Sequence, residues 1–272
     1  MSIPFIDHHP TSGEFERFRL ILSTYQDGSG QQAFQDGKTL PGWRDFERSV
    51  AIAFGGESQE SKFIFDVLLP DVKRKGVYFG VSCKMRRTLN DTKRTGRVSF
   101  EISNSSGKFW DELKKAGLHQ QNYKDKPIEV ANVLLDQVNQ WHTEAGLEHG
   151  GKVDVLQSFY LALSWNKQNE YQLFKFALSF PPASSLKWDF PPAANRSDEK
   201  VGRRLRGQDT TGTLIEWYGE SGGQLKYYPL AENALWKSAV FRLEPLPKNW
   251  NEKHGILAKA KDYFPGLWLD KP

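Results

Sequence analysis

The 272-residue sequence predicts an α/β protein in which a mixed central sheet is flanked by helices and followed by additional C-terminal β-rich elements. Three observations carry this expectation. Residues 43–54 (WRDFERSVAIAF) place Trp43, Phe46, Val50 and Phe54 at helical spacing, with Arg44, Asp45, Glu47 and Arg48 between them. The segments KFIFDVLL and GVYFGVSCKM are rich in β-branched and aromatic residues and flank the turn-forming, basic PDVKRKG. Beyond Gly150-Gly151 the chain changes to strand-like segments separated by hairpin loops.

In chain order, residues 14–25 (EFERFRLILSTY) have helical periodicity and stop at DGSGQQ, where Gly and Asp break it. Pro41-Gly42 opens the second helix and Gly55-Gly56 closes it. The two strands that follow form a hairpin with a longer loop. VSFEISNSSGKFWDELKKAG sets Val98, Ile102, Phe109 and Leu113 on one helical stripe and ends at Gly117, and IEVANVLLDQVNQWHTEAGL predicts a further helix. VLQSFYLALSW and EYQLFKFALSF make a hairpin about NKQN, and Pro181-Pro182 and Pro191-Pro192 mark connections. A strand near RRLRG, a hairpin TLIEWYG–ESGG–QLKYYPL, a strand near WKSAVFRLEPL and a short helical region complete the chain.

Composition excludes several classes of function. Hydrophobic residues at 38% and aromatics at 13% indicate a globular chain rather than a disordered one. No apolar stretch approaches the roughly 18 to 20 residues needed to span a bilayer, and MSIPFIDHHP lacks the charged-then-apolar order of a signal peptide. A soluble, cytoplasmic protein without membrane partners is expected. The single Cys83 excludes an internal disulfide, and six scattered His offer no zinc-ligand spacing. A nucleophile elbow, an HExxH helix and a phosphate loop are absent, so Gly28, Gly30, Gly222 and Gly223 read as turn residues. The net charge of +4 is mild, but Lys73, Arg74, Lys75, Arg86, Arg87, Lys93, Arg94 and Arg97 fall within one segment of about 25 residues.

The hairpin carries the chemistry. Val77, Phe79, Val81, Cys83 and Met85 alternate with Tyr78, Gly80, Ser82, Lys84 and Arg86, so Lys84 faces away from the core. If the hairpin turns about Lys75, Asp66 lies opposite Lys84 and Leu68 opposite Ser82. Asp66 interrupts FIF and VLL, where a carboxylate suffers desolvation unless paired or bound to a cation. Two readings stay open: an Asp66–Lys84 ion pair, or an Asp66 that holds Mg²⁺ while Lys84 orients or helps deprotonate an attacking water.

With an acid on one strand and Ser82-Cys83-Lys84 on the next, the sequence resembles the PD-(D/E)XK nuclease superfamily over roughly residues 41–115. The resemblance implies a restriction endonuclease-like core, Mg²⁺ as cofactor and phosphodiester hydrolysis. It also makes Glu47, in the preceding helix, look like the acidic helix residue that many such nucleases place near the metal. Ser82 departs from the pattern, because a hydroxyl cannot replace the second carboxylate. Some members with Ser-x-Lys recruit a Glu from the following helix, which here points to Glu101 in preference to Glu47. The implied catalytic set is Asp66, Lys84, Glu101 and Ser82, and the implied metal set is Asp66, Glu101, Glu47 and Cys83. Pro70-Asp71 spells the family name more literally, but placing Asp71 opposite Lys84 would break the alternation of the second strand.

The same resemblance, with no helicase segment or phosphate loop beside it, implies a sequence-specific double-stranded DNA endonuclease of the type II restriction kind. A single elaborated nuclease domain over residues 1–272 is expected, with its catalytic core at about 41–180 and residues 181–272 contributing DNA recognition. Arg86, Arg87, Lys93, Arg94 and Arg97, and then Arg203, Arg204, Arg206, Gln208 and Lys226, are candidates for phosphates or base edges. A homodimer is expected because twofold-related sites cut both strands of a palindrome. A catalytically inactive nucleic-acid-binding module and a repair or modification-dependent nuclease are the alternatives.

Overall fold

Helix α1 (Ser12–Ser23) starts at a capping box, in which the Thr11 hydroxyl accepts the Glu14 N–H and the Glu14 carboxylate accepts the Thr11 N–H. The computed structural model describes residues 2–34, 38–59, 64–192, 202–248, 250 and 255–269. Strands β1 (Gln32–Ala33) and β2 (Thr39–Leu40) pair as a small ribbon ahead of α2 (Trp43–Phe54). The start of α2 is tied down twice. The Asp45 carboxylate accepts N–H groups from Gly42 and Gln31, and the Gln31 side chain accepts the Arg44 N–H. Gly55 ends the helix at φ 74°, as its position in the sequence predicts.

The remaining strands are β3 (Glu57–Ser58), β4 (Val67–Pro70), β5 (Tyr78–Arg86), β6 (Phe100–Ser103), β7 (Phe159–Trp165), β8 (Glu170–Ala177), β9 (Lys187–Asp189), β10 (Leu205–Asp209), β11 (Gly212–Trp217), β12 (Leu225–Tyr227), β13 (Trp236–Lys237) and β14 (Phe241–Arg242). Helices α3 (Leu89–Thr95), α4 (Ser106–Lys115), α5 (Pro127–Glu144) and α6 (Ile256–Tyr263) lie among them. Residues 62 and 63 of the expected first hairpin strand lie outside the described residues. The chain divides into two compact units, one of Met1–Leu89, Ala145–Leu178 and Leu235–Pro272, the other of Asn90–Glu144 and Ser179–Ala234.

In the first unit the sheet order is β13-β8-β7-β5-β4-β3, with β14 also on β8. The β5–β7 pair is parallel and its neighbours are antiparallel, so the sheet is mixed, as the sequence predicts. Phe79, Val81 and Cys83 of β5, Val67 and Leu69 of β4, and Leu161 and Leu163 of β7 form one core with Phe18, Ile21 and Leu22 of α1 and Phe46, Val50 and Phe54 of α2. Trp43 was expected on that apolar stripe and is instead 54% exposed. It lies only about 40° around the helix from Glu47, on the solvent side of the first turn.

The hairpin register differs from expectation by two residues. Val67 faces Val81 and Leu68 faces Gly80, so Leu68 is not opposite Ser82. The loop is set by Asp71, whose N–H donates to the Val77 carbonyl while its carboxylate accepts the N–H groups of Lys73 and Arg74. This centres the turn on Arg74 rather than Lys75. A shift of two keeps every side chain on its predicted face. Asp71 is a turn-forming residue, as its sequence position suggests.

The second unit holds an antiparallel sheet ordered β6-β12-β11-β10-β9, with α4 and α5 packed on each other. Here the expected helix over 98–117 is corrected. Phe100–Ser103 is strand β6, paired with β12, and only Ser106–Lys115 is helical. Val98 and Phe100 are both fully buried, a period of two that the helical stripe concealed. Phe109 and Leu113 do face the core, and Gly117 takes φ 74° after the helix. Residues 90–144, expected within the catalytic core at 41–180, fall in this second unit.

Gly80 fixes the approach to β4. A Cβ on it would lie 2.4 Å from the Phe65 ring, so Phe65 can cross β5 only because this position has no side chain. Gly80→Ala is expected to destabilise the protein by about 1–3 kcal/mol through overpacking, measured as a lowered denaturant midpoint at unchanged slope. Gly107→Ala, where an added Cβ meets open space, should cost nothing and serves as the control.

Candidate functional site

Asp66 sits immediately before β4 and is held from both sides of its peptide. Its N–H donates to the Val81 carbonyl at 3.0 Å, and its carbonyl accepts the Gln59 N–H at 2.9 Å. Its Oδ2 accepts the Cys83 N–H at 2.7 Å, so the carboxylate takes the ladder rung beyond the end of β4. Ser82 Oγ lies 3.5 Å from the same oxygen and Lys84 Nζ 3.7 Å from it. Three successive residues of β5 thus converge on one carboxylate oxygen.

Helix α2 packs on β4 and β5 and brings Glu47 to the same place. Burial pushes the Glu47 carboxyl up, the negative charge of Asp66 adds to this, and Lys84, Arg44 and Arg48 pull back, leaving it at about 7. Asp66, Lys84 and Glu47 therefore share one site. Ser82 is 3% exposed and adds a hydroxyl but no charge.

Two members of the predicted set are corrected. The Cys83 thiol points into the core, where burial pushes its pKa up, so Cys83 contributes its N–H to the site rather than a sulfur ligand. Glu101 is on a strand of the second unit, with Lys226 as its cross-strand partner, and not on a helix following the hairpin. The resemblance that favoured it over Glu47 presumes a helix at this position, and Phe100–Ser103 is a strand. Within the first unit, Glu47 is the second carboxylate.

The basic residues fare unevenly. Arg86 ends β5, Arg87 lies over the Trp165 ring at 5.8 Å, and Lys93 and Arg94 are on α3, where Arg94 pairs with Asp91. Arg97 is not a free surface cation. Its guanidinium donates to both Asp209 oxygens at 2.6 and 2.9 Å, to the Tyr228 carbonyl and to the Thr211 hydroxyl. Burial alone would raise the Asp209 carboxyl, but the hydrogen bonds from Arg97 and Thr211 outweigh it and hold it at about 2.

Arg203, Arg204, Arg206, Gln208 and Lys226 lie around the sheet of the second unit. Their charges are largely met from within. Asp189, Arg206, Glu216, Lys226 and Glu101 are successive cross-strand partners, a row of alternating charge across five strands. Glu216 also accepts the hydroxyls of Tyr218 and Tyr228, and lies 3.8 Å from Arg204. Arg203 lies 3.8 Å from Glu220, and Lys226 lies over the Tyr218 ring at 4.0 Å.

No family model, curated protein or solved structure matches the chain. The site is defined by its own geometry. Among the described residues no group of three or more His, Cys, Asp and Glu forms a ready-made metal cage. Asp66 and Glu47 could nevertheless hold Mg²⁺, which keeps several waters and takes one or two carboxylates together with substrate phosphate. The mutual repulsion of these two acids, only partly offset by Lys84, is the charge a hard cation would neutralise.

Missed by sequence reasoning was the part played by backbone: nothing in the residue types announces that the Cys83 N–H, rather than its thiol, binds Asp66. Because the folded chain holds the Glu47 proton more tightly than the unfolded chain, stability should fall as pH rises from about 4.5 to about 7. Thermal melts across that window are expected to show the slope and Glu47→Gln to flatten it. The same slope in the variant would assign it to another group.

Proposed function

We propose that the chain is a Mg²⁺-dependent, sequence-specific double-stranded DNA endonuclease of the type II restriction kind, in the PD-(D/E)XK superfamily, acting as a homodimer. What supports this is the convergence of Asp66, Glu47 and Lys84 at the end of a β-hairpin whose backbone holds Asp66. Asp66 and Glu47 would hold the metal, which would supply Lewis acidity for phosphodiester hydrolysis. The Lys84 ammonium, kept near Asp66, orients the attacking water and meets negative charge developing on the phosphate. Ser82 lines the site without adding charge. The basic residues around the sheet of the second unit supply DNA contacts, chiefly through the more exposed Arg203 and through Lys226.

One observation favours a second reading, a nucleic-acid-binding module without catalysis: the buried Ser82 stands where the superfamily supplies a carboxylate. A repair or modification-dependent nuclease would share the chemistry and differ in DNA selection. No helix among the described residues is long and apolar enough to cross a membrane.

The deciding experiment incubates the purified protein with phage and plasmid DNA, methylated and unmethylated, in Mg²⁺ or EDTA. Discrete Mg²⁺-dependent fragments are expected. Asp66→Ala, Glu47→Ala and Lys84→Ala should each slow cutting by about a hundredfold or more, with Glu101→Ala leaving it intact. Binding without cutting would establish the module instead, cutting confined to methylated DNA would establish the modification-dependent enzyme, and loss of cutting in Glu101→Ala would restore that residue to the site.

A further inference from the structure

The core does not account for Trp43, nor the charge on Glu47 for the seat of Arg44 on its ring. Trp43 is the first residue of α2 and more than half exposed, and the Arg44 guanidinium lies over its indole at 4.9 Å. At 3.6 residues per turn, Trp43, Arg44, Glu47 and Arg48 form one contiguous stripe, exposed at Trp43, Arg44 and Arg48 and half-buried at Glu47. The backbone beneath is held firmly, because Gln31 accepts the Arg44 N–H at 2.9 Å and Asp45 secures the preceding turn. Among the described residues Arg44 makes no salt bridge, and its guanidinium is engaged by the indole. An arginine laying its stem on a neighbouring ring is ordinary. That alone does not explain a large aromatic left in water one helical turn from Glu47.

We propose that Trp43 and Arg44 form a phosphate clamp for the DNA strand being cut, the indole holding the guanidinium flat so that it takes a phosphate beside the scissile one in paired hydrogen bonds. The proposal rests on the nuclease reading. Arg44 precedes Glu47 by about 4.5 Å along the helix axis, so the phosphate it takes lies beside the one at the carboxylates. A planar guanidinium matches phosphate geometry in a way a lysine does not. Charge complementarity favours this occupant, since Arg44 is exposed and makes no salt bridge among the described residues.

The test measures fluorescence anisotropy of a labelled DNA duplex over a salt series, with Ca²⁺ in place of Mg²⁺ so that binding is read apart from cutting. Arg44→Ala is expected to weaken binding about tenfold and to reduce the slope of log affinity against log salt by about one. Arg44→Lys should keep the slope and lose part of the affinity, and Trp43→Ala should weaken binding severalfold. Both side chains are exposed, so unchanged thermal melts are expected for all three variants. An unchanged slope in Arg44→Ala would overturn the clamp while leaving wild-type Mg²⁺-dependent cutting as a separate result. A wild type that binds no DNA would overturn both ideas. Binding with the slope change but without cutting would uphold the contact and overturn the catalysis.

Discussion

The hydrogen bond from the Cys83 N–H to the Asp66 carboxylate is the contact on which the first unit's site depends. Strand β4 begins only at Val67, so the β5 backbone beyond Val81 has no β4 residue to continue the ladder. An amide left unpaired there would cost about 1–3 kcal/mol, and the Asp66 side chain removes that cost. The same bond fixes the carboxylate near Lys84. Because β5 alternates, Cys83 can bury its thiol among core residues while the residues on either side of it face the site. One strand anchors the core and presents the chemistry.

Helix α2 does for Glu47 what β5 does for Lys84. Phe46, Val50 and Phe54 are buried against the sheet, and this burial drives the helix onto β4 and β5 at about 25 cal/mol per Å² of apolar surface removed from water. Glu47 is carried in with them. Its desolvation opposes the packing, and the repulsion from Asp66 adds to that opposition. The apolar face of one helix therefore holds a carboxylate where its charge is least comfortable, a cost that natural sequences bear at sites of chemistry.

Much of this was legible in the residues. Helix α2 was bounded by Pro41-Gly42 and Gly55 because caps are local signals, and the face of Lys84 followed from alternation, which survives any even shift of register. The register itself was not legible, since it is set by how Asp71 closes its turn, and several turns of similar length fit the same strands. Glu101 reads as helical because Val98, Ile102, Phe109 and Leu113 satisfy a helical period by coincidence, whereas Phe100–Ser103 is a strand. The pairing of Phe100–Ser103 with Leu225–Tyr227 joins residues more than a hundred positions apart, and no local pattern reports it. The partners of the basic residues are hidden for a related reason: Arg97 meets Asp209 and Arg206 meets Glu216 only after the sheet forms.

On the proposed nuclease reading, Ser82 is the departure with the largest electrostatic consequence. A carboxylate in its place would lie beside Asp66 and near Glu47, in a position almost closed to water. Two like charges about 4 Å apart repel by about 4 kcal/mol at an effective dielectric near 20. With three acids and one lysine, such a site would strain the folded chain until a cation arrived. The serine leaves two acids and one lysine, a balance closer to neutral. On the proposed reading that relief has a counterpart, because two carboxylates attract a divalent cation less strongly than three. The missing negative charge would then come from the DNA phosphate, and metal and substrate would bind as partners rather than in sequence.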